Sequence, residues 1–431
     1  MKNKKRWIKW IALVALAVLF VAAAVYGIVC IVRYNALEDT GLPVLEIMTE
    51  GEADIVSKTD YIGCKVTLRE TDAEYYFTDL AAEVRGRGND TWKYYPKKPY
   101  RIKFTEKTSM FGEPANKSWV LLAMYNDFTL TKDRLAFGLA DSIGGDAFVP
   151  SYHYVDLYLN GSYMGLYLLT DQVDENKGRI NVKEKFDETD TEVPFFVELD
   201  ARAPEEGEEG VDWFEVGGRP YAIKYPEADE RYNDAQFAYI ENDIETVHAL
   251  CHKENVTLAE LSEYIDVQSF MDFYLVQELM GQQEINWKSV YMSKTTDGVL
   301  KMGPVWDFDW GAMGPSLGEN SYNYRDTYDG FRSVDNWFAS LYKGSPEFCA
   351  ALSERWFALR GGFEGAIAQV ETEKNIIARA AERDRLRWHW YRFGGDYEES
   401  FDELIEWCRH RITWMDAEMS KYDAGRGVMT R

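Results

Sequence analysis

Two aspartates in a short aromatic stretch are the residues of this chain best suited to chemistry. Asp307 and Asp309 stand two residues apart in the run WDFDWG, which follows a predicted strand at 299–305. On a regular strand both carboxylates would point to the same side and Phe308 to the other. Paired carboxylates suit the oxygen coordination of Mg²⁺ or Mn²⁺. The plainer alternative is that the two acids cap a turn or pair with nearby basic residues.

The segments before this pair would position it. The sequence predicts a helix at 269–280, a polar loop at 282–288, a strand at 289–294 and a Thr-Thr-Asp-Gly turn before the second strand. Helix, polar loop, hairpin and aspartate follow one another in the same order in the active site of protein kinases. The loop departs from that pattern because it contains no aspartate, and Glu284 is its only acid.

A glycine-rich segment further upstream carries positive charge. In RGRGNDTW, Gly86 and Gly88 allow a tight turn, and Arg85 and Arg87 bring cations to it. Backbone N–H groups and guanidinium groups could together hold an anion such as a polyphosphate. A pair of glycines is also common in turns that bind nothing.

The strand predicted after this turn, at 97–104, contains cations of its own. Its alternation puts Arg101 and Lys103 on one face and the apolar residues between them on the other. Protein kinases hold the lysine that binds the α- and β-phosphates in a strand that follows a glycine-rich turn. The alternative for Lys103 is a solvated strand face.

The region between these motifs predicts a helix and a hairpin. Residues 131–143 show helical periodicity, with Asp133 and Asp141 as the acids of the helix. Either acid could face a strand cation, although exposure to solvent is the plainer expectation for each. Asn160-Gly161 between two alternating strands predicts a type I′ turn.

The composition limits the classes of function. The 431 residues carry a formal net charge of −25, and 46% of them are hydrophobic, enough for one large core or two ordinary ones. Such a charge argues against nucleic acid as a partner and favours a divalent metal or a basic protein. The five cysteines show no C-x-x-C spacing and there are only five histidines, so a zinc site, a cysteine nucleophile and histidine catalysis are not indicated.

The N-terminus predicts a membrane anchor. Residues 1–10 are basic, and residues 11–32 contain no charge over a length that can cross about 30 Å of hydrocarbon as a helix. The positive-inside rule keeps the basic end in the cytoplasm and puts the main domain on the extracytoplasmic side of a single-pass protein. A signal peptide cleaved after Ala22-Ala23-Ala24 is the competing interpretation.

Five motifs, in order along the chain, resemble one family. They are RGRGNDTW, KKPYRIKF, KSWVLLAMYND, VDLYLNGSYMGLYLLTDQVD and KMGPVWDFDW. Together they are similar to the successive signatures of the CotH family, the spore coat protein H type atypical protein kinases. The resemblance covers about residues 42–314. It implies an α+β, protein-kinase-like fold with an N-terminal antiparallel β-rich lobe and a helical C-terminal lobe.

The expected organisation follows from the anchor and this resemblance. It consists of a cytoplasmic segment at 1–10, a transmembrane helix at 11–32, a linker at 33–42, a kinase-like core at 43–330 and a helical part of the same domain at 331–431.

The resemblance also implies roles for particular residues, with ATP and Mg²⁺ or Mn²⁺ as cofactors. Asp307 would bind the metal and Lys103 the phosphates, with Arg87 or Arg101 assisting. Whether Asp307 or Asp309 holds the metal is open. The full expected set is catalytic Asp307, Lys103, Glu284 and Lys288; nucleotide-binding Arg85, Gly86, Arg87, Gly88, Arg101 and Lys103; and metal-binding Asp307, Asp309, Asn286 and Ser289.

Three functions stay open on the sequence. The first is a kinase that transfers the ATP γ-phosphate to Ser or Thr of a partner protein, for which the acidic surface suggests a basic, Ser-rich acceptor. The second is a pseudokinase or scaffold, which the missing loop aspartate would explain. The third is a surface adhesion or carbohydrate-associated module. ATP is scarce outside a bacterial membrane, so the first requires an engulfed compartment or the reversed orientation. The sequence leaves the oligomeric state open.

Overall fold

The computed structural model describes residues 2–206, 212–227, 233–313, 329–388 and 396–422. Within these ranges the chain is a mixed α+β protein, as predicted. Two separate sheets and a set of helices make up the structure.

Residues 44–171 form a closed barrel of seven strands. The strands are β1 Val44–Thr49, β2 Ile62–Arg69, β3 Phe77–Gly86, β4 Tyr100–Thr108, β5 Asn116–Leu122, β6 His153–Leu159 and β7 Ser162–Asp171. They follow the order β1-β2-β3-β4-β5-β7-β6 around the barrel. All neighbours are antiparallel except β1 and β6, which pair in parallel and close it. The predicted antiparallel lobe therefore needs correction: it is a barrel, and its closing pair is parallel.

Alternating apolar residues fill the barrel. Val84, Ile102 and Trp119 point inward from three adjacent strands and have no exposed surface. The hairpin that joins β6 to β7 turns at Asn160 and Gly161, which have φ angles of 49° and 73°. A type I′ turn requires positive φ at both positions, so the predicted turn is confirmed.

A second sheet of five antiparallel strands follows. It contains β8 Phe195–Leu199, β9 Trp213–Val216, β10 Arg219–Tyr225, β11 Val290–Lys294 and β12 Lys301–Met302, in the order β12-β11-β8-β10-β9. The strand predicted at 299–305 is shorter than expected, since β12 ends at Met302. Pro304 follows closely and has no N–H group to continue the ladder.

Helices cover these sheets and extend to the C-terminal end of the described chain. They are α1 Lys2–Ala36, α2 Asp90–Tyr94, α3 Lys132–Ile143, α4 Ala203–Glu206, α5 Asp234–Cys251, α6 Leu258–Ser262, α7 Val267–Leu279, α8 Phe308–Gly311, α9 Trp337–Gly344, α10 Pro346–Trp388 and α11 Tyr397–Met419. Short 3₁₀ turns lie at Glu50–Glu52, Gln283–Asn286 and Ser420–Tyr422. The 43-residue α10 packs on α3, α11 and β7, and so connects the helices to the barrel.

The first helix is long and apolar enough to cross a membrane. Its segment Leu13–Ala36 has 24 residues and a mean hydropathy of 2.8. The end of this helix and the residues after it contact α10, where Arg33 pairs with Glu382 at 3.2 Å. The Nε of Arg379 donates to the Asp39 carbonyl at 3.0 Å. These contacts hold the start of the domain against its longest helix.

A buried ion pair joins α10 to the barrel. Lys97 and Asp384 are both fully buried, with 2.7 Å between Nζ and Oδ1. Lys97 also donates to the Leu166 carbonyl at 2.6 Å, and Asp384 accepts from the Leu166 N–H at 2.8 Å. Both charges are therefore hydrogen-bonded as well as paired, which a charge needs in a dry interior.

We expect Lys97→Met to destabilise the protein by about 3–5 kcal/mol, because it leaves the Asp384 carboxylate buried without its cation. Urea denaturation followed by tryptophan fluorescence measures the effect. The matched control is Lys374→Met, whose partner Asp402 is 70% exposed, and we expect it to cost less than about 1 kcal/mol. Equal losses of unfolding free energy in the two variants would show that the buried ion pair stabilises the protein no more than the exposed one.

Candidate active site

A cleft of about 420 Å³ is lined by residues from both sheets and from the loops beside them. One wall consists of the loop after β3 and the end of β5. The other consists of the residues after β8, the segment 284–291 and the segment 306–310. The helices α3 and α8 contact each other, and Asp133 of α3 also lines the cleft.

Asp307 and Asp309 both line this cleft, but not from a strand as predicted. Asp307 is in the left-handed conformation, with φ 67° and ψ 57°, and it precedes the single turn of α8 that contains Asp309. The Asp307 carbonyl accepts from Nε2 of Gln282 at 2.7 Å, and its Oδ2 accepts from the Ser289 hydroxyl at 3.1 Å. A tight turn, rather than strand alternation, therefore brings the two acids together.

Asp133 is a third acid of the cleft, and it is buried rather than exposed as expected. Only 3% of it is exposed, and its Oδ1 accepts from the Phe308 N–H at 2.7 Å. It therefore fixes the start of α8, between the two aspartates. Asp141, at the other end of α3, is exposed and accepts from the Tyr152 hydroxyl at 3.0 Å, outside the cleft.

The carboxylates of the cleft repel one another in a buried environment. Burial, with the charges of Asp307 and Asp127, raises the pKa of Asp309 to about 7. Burial, with the charge of Asp307, raises the pKa of Glu284 to about 8, although Lys288 opposes the shift. Burial and the charge of Asp309 raise the pKa of Asp133 as well. A bound cation would favour the ionised form of all these acids.

Three cations line the cleft with these acids, and they are Lys288, Arg87 and Arg202. Lys288 forms an ion pair with Glu284 and lies 5.7 Å from the ring centre of Trp310. Arg87 lies 5.6 Å from the ring centre of Trp306. Burial lowers the pKa of Arg87, and the charge of Asp307 opposes this. In the described ranges Arg87 makes no salt bridge, so its guanidinium can accept an anionic ligand.

The structure brings together some of the predicted site residues and separates others. The turn after β3 contributes to the cleft, and Gly88 adopts a φ of 77° there, which favours glycine. The predicted residues that line the cleft are Arg87, Gly88, Glu284, Lys288, Ser289, Asp307 and Asp309. Those that do not line it are Arg85, Gly86, Arg101, Lys103 and Asn286.

Asn286 has a structural task in place of the predicted metal ligation. Its side chain is 2% exposed, and its Nδ2 donates to the carbonyls of Gln283 and Arg332 at 2.8 and 2.9 Å. Its Oδ1 accepts from the Val334 N–H and from Nδ2 of Asn336, both at 2.9 Å. The amide is saturated within the protein, so it fixes the loop that carries Glu284.

Lys103 and Arg101 lie on the outward face of the barrel. Lys103 is exposed, and its Nζ is 5.6 Å from the ring centre of Tyr61. The predicted alternation of β4 is correct, because Tyr100, Ile102 and Phe104 are buried. The outward face of β4 does not line the cleft, whereas Arg87, in the turn after β3, does.

Sequence reasoning missed several residues of the cleft. Glu198 is the clearest, an acid inside the buried strand β8, where it pairs with Lys224 at 2.9 Å. Burial raises its pKa. Asp200 directly follows the same strand and also lines the cleft. A charged residue within an otherwise apolar strand is a signal that could have found Glu198.

The donor set fits a metal ion that arrives with a phosphate ligand. In the described part of the chain, no group of three or more His, Cys, Asp or Glu side chains is arranged to hold a metal ion by itself. Mg²⁺ is usually bound by one or two carboxylates together with substrate phosphates and water. Asp307 and Asp309 provide two carboxylates in one cleft, and a bound cation would offset the burial and the Asp307 charge that raise the pKa of Asp309.

We expect Gly311→Ala to destabilise the protein by about 1–3 kcal/mol through overpacking beside this site. An added Cβ would contact the Gln282 amide that holds the Asp307 carbonyl, and would lie 2.6 Å from Cγ of Glu284. Urea denaturation measures the loss. Gly365→Ala is the matched control, because no atom lies within 4 Å of its added Cβ in the middle of α10. Similar stabilities for both variants would contradict the tight packing.

The fold and cleft define a mixed α+β protein with an acidic, cation-flanked cleft beside a closed barrel. The chain belongs to the CotH family, because the family model described as CotH kinase protein matches residues 84–415. This confirms the resemblance found in the sequence, and the match includes every residue named above as lining the cleft. Comparison with curated proteins gave no match.

Proposed function

We infer that this protein is a metal-dependent, CotH-like atypical kinase that transfers the ATP γ-phosphate to Ser or Thr of a partner protein. The observation that carries this proposal is the content of one cleft. It combines paired carboxylates, Asp307 and Asp309, with the cations Arg87 and Lys288. Phosphoryl transfer depends mainly on positioning and charge neutralisation, and this set of groups suits both.

The chain's own residues would divide these tasks. Asp307 and Asp309 would hold Mg²⁺ or Mn²⁺, and the metal when bound would neutralise charge on the phosphates. Arg87 would contact the phosphates from the barrel side, since its guanidinium faces the cleft and makes no salt bridge in the described chain. Lys288 would approach them from the opposite wall, where it now pairs with Glu284.

Glu284 is the proposed proton acceptor for the Ser or Thr hydroxyl. It is the only acid of the loop at 282–289, and 1% of it is exposed. A base works best when its pKa lies near the operating pH, and the Glu284 pKa is about 8. In the described structure it forms one ion pair, with Lys288.

A location at a membrane is part of the proposal. The apolar α1 would anchor the chain once, with residues 1–10 in the cytoplasm and the main domain outside, as the positive-inside rule predicts. Because ATP is scarce outside a bacterial membrane, the main domain would face an engulfed compartment that contains ATP. The net charge of −25 favours a basic, Ser-rich acceptor. A nucleic-acid partner is not expected, because its phosphates would be repelled by this negative charge.

Labelled phosphate transfer tests the proposal. The full chain in detergent micelles would be incubated with γ-labelled ATP, Mg²⁺ or Mn²⁺ and a basic acceptor rich in Ser and Thr. We expect metal-dependent label on Ser or Thr of the acceptor. ATP binding without transfer to any acceptor would instead support a pseudokinase, which the Glu284–Lys288 ion pair and the lack of a loop aspartate favour as the second candidate. Absence of ATP binding would contradict both.

A further inference from the structure

Three cations outside the cleft form a compact patch on the barrel. Arg85 lies on β3, and Arg101 and Lys103 lie on β4; together they are called the outer cationic patch. Arg85 and Arg101 are direct cross-strand partners, and Lys103 follows Arg101 on the same face. Like charges directly opposite one another in a sheet are destabilising. An anion bound between them would offset this repulsion.

No acid forms a salt bridge with the patch within the described ranges, although the charge of Asp174 acts on Arg101 and raises its pKa. Arg85, Arg101 and Lys103 form no salt bridge there, and the Nε atoms of Arg85 and Arg101 are buried without a hydrogen-bond acceptor. Glu83 stands opposite Lys103 in the register but makes no ion pair with it. The neighbouring Arg179 differs, because it pairs with Asp171 and Asp174 at 2.8 and 3.0 Å.

The patch is held in place by its surroundings. The Tyr61 ring centre lies 5.1 Å from the Arg85 guanidinium and 5.6 Å from the Lys103 ammonium. The NH2 of Arg101 donates to the Ser118 hydroxyl at 3.1 Å, and NH1 of Arg85 donates to the Lys58 carbonyl. Burial lowers the pKa of Arg101 and the charge of Arg85 lowers it further, while Tyr61 and Asp174 oppose the shift. An anion would relieve this repulsion without rearranging the side chains.

We propose that the outer cationic patch binds the phosphate of a Ser or Thr that has already been phosphorylated on the acceptor protein. The inference rests on the proposed function, because the cleft would generate that phosphate. A phosphate monoester carries about −1.5 to −2 charges and three acceptor oxygens. It matches two guanidinium groups and an ammonium better than a single carboxylate does.

The patch is placed to serve the cleft. Arg87 lines the cleft and follows Arg85 by two residues, a distance of about 7 Å along an extended chain. β3 ends at Gly86, so Arg87 begins the turn that directly follows the strand of Arg85. A phosphorylated segment on the patch would keep the rest of a Ser-rich acceptor near the cleft. Later phosphates on one acceptor would then be added faster than the first.

Peptide binding tests the inference without any catalysis. Fluorescence anisotropy would compare a labelled Lys-Ser peptide that carries two synthetic phosphoserines with its unphosphorylated form, on the full chain in detergent. General electrostatics on a protein of charge −25 favours the unphosphorylated, more basic peptide. We expect the opposite preference, about tenfold in favour of the phosphopeptide, since two charge-assisted arginine contacts are at stake. Equal or reversed affinities would overturn the proposal.

Variants locate the binding. Arg85→Gln, Arg101→Gln and Lys103→Gln together should remove the tenfold preference. Lys103→Gln alone, at an exposed position that tolerates the change, should reduce it by about threefold. The matched control Lys65→Gln, an exposed lysine on β2, should leave it unchanged. An unaltered preference in both the triple and the single variant would overturn the assignment to this patch.

Two further comparisons distinguish a phosphopeptide from free phosphate as the ligand, and phosphate binding at the patch from kinase activity in the cleft. Inorganic phosphate at the concentration of the phosphopeptide should not displace it, and equal displacement would overturn a peptide ligand in favour of free phosphate. Because the phosphoserines are synthetic, the binding result does not depend on transfer by the cleft. If the protein prefers the phosphopeptide but transfers no label from γ-labelled ATP, the proposed kinase activity is contradicted, and the cleft is not the source of the phosphate. If it transfers label but does not prefer the phosphopeptide, only the proposed phosphate binding at the patch is overturned.

Discussion

Asp307→Asn should reduce phosphate transfer by on the order of 10³-fold while the protein stays folded. The change removes the negative charge that would hold the metal but preserves the size of the side chain. Asn adopts the left-handed conformation of this position, φ 67° and ψ 57°, as readily as Asp does. Its amide oxygen can still accept from the Ser289 hydroxyl. Initial rates with γ-labelled ATP and Mn²⁺ measure the loss.

Asp297→Asn provides the matched control for this variant, since Asp297 is an exposed acid in the turn between β11 and β12. It should transfer phosphate at the rate of the unchanged chain. A thermal melt shows whether the Asp307 variant is folded. A folded Asp307→Asn protein that transfers phosphate at an undiminished rate would rule out Asp307 as a metal ligand.

Glu284→Gln should lower the transfer rate by about 10²–10⁴-fold, because Gln cannot accept a proton. In the unchanged protein without metal, the Glu284 pKa of about 8 means that the base is mostly protonated at pH 6. A bound metal ion lowers this pKa, so the rate should rise with pH through a midpoint below 8 and then level off. Full activity in the variant would exclude Glu284 as the base.

The same substitution should stabilise the metal-free protein in a pH-dependent manner. The pKa of Glu284 is raised from 4.5 to about 8, so folding disfavours its ionised form. This cost is absent below the unfolded pKa, grows as the pH rises from about 4.5 to 8, and is constant above that. Glu284→Gln removes the cost, so its advantage in unfolding free energy should grow over that window to a few kcal/mol. Urea denaturation at pH 5 and pH 8 measures it.

Local patterns predicted the parts of the fold that local chemistry determines. Alternation in β4 identified the buried face, and Asn160-Gly161 identified the hairpin turn. Closure of the barrel was not predictable in this way, because β1 and β6 pair across more than a hundred residues. No local sequence pattern indicates such a contact. The loss of chain entropy on bringing β1 and β6 together is offset by packing in the whole barrel rather than by these two strands alone.

The candidate site was predicted only in part, because some of its residues are placed by contacts between segments distant in sequence. Residue type and spacing indicated Asp307, Asp309 and Glu284, which the cleft does bring together. The burial of Asp133 depends on how α3 packs against α8, and helix periodicity does not reveal that packing. Asn286 has the right chemistry for a metal ligand, but its amide is used by Val334 and Asn336, which lie far away in sequence.

Anomalous diffraction from crystals of the protein with Mn²⁺ and a non-hydrolysable ATP analogue would show where the metal binds. We predict a manganese peak at about 2.2 Å from a carboxylate oxygen of Asp307 or Asp309, with the phosphates directed toward Arg87. A nucleotide whose phosphates bind at Lys103 on the outer face of the barrel, with no metal at either aspartate, would contradict a metal site in this cleft.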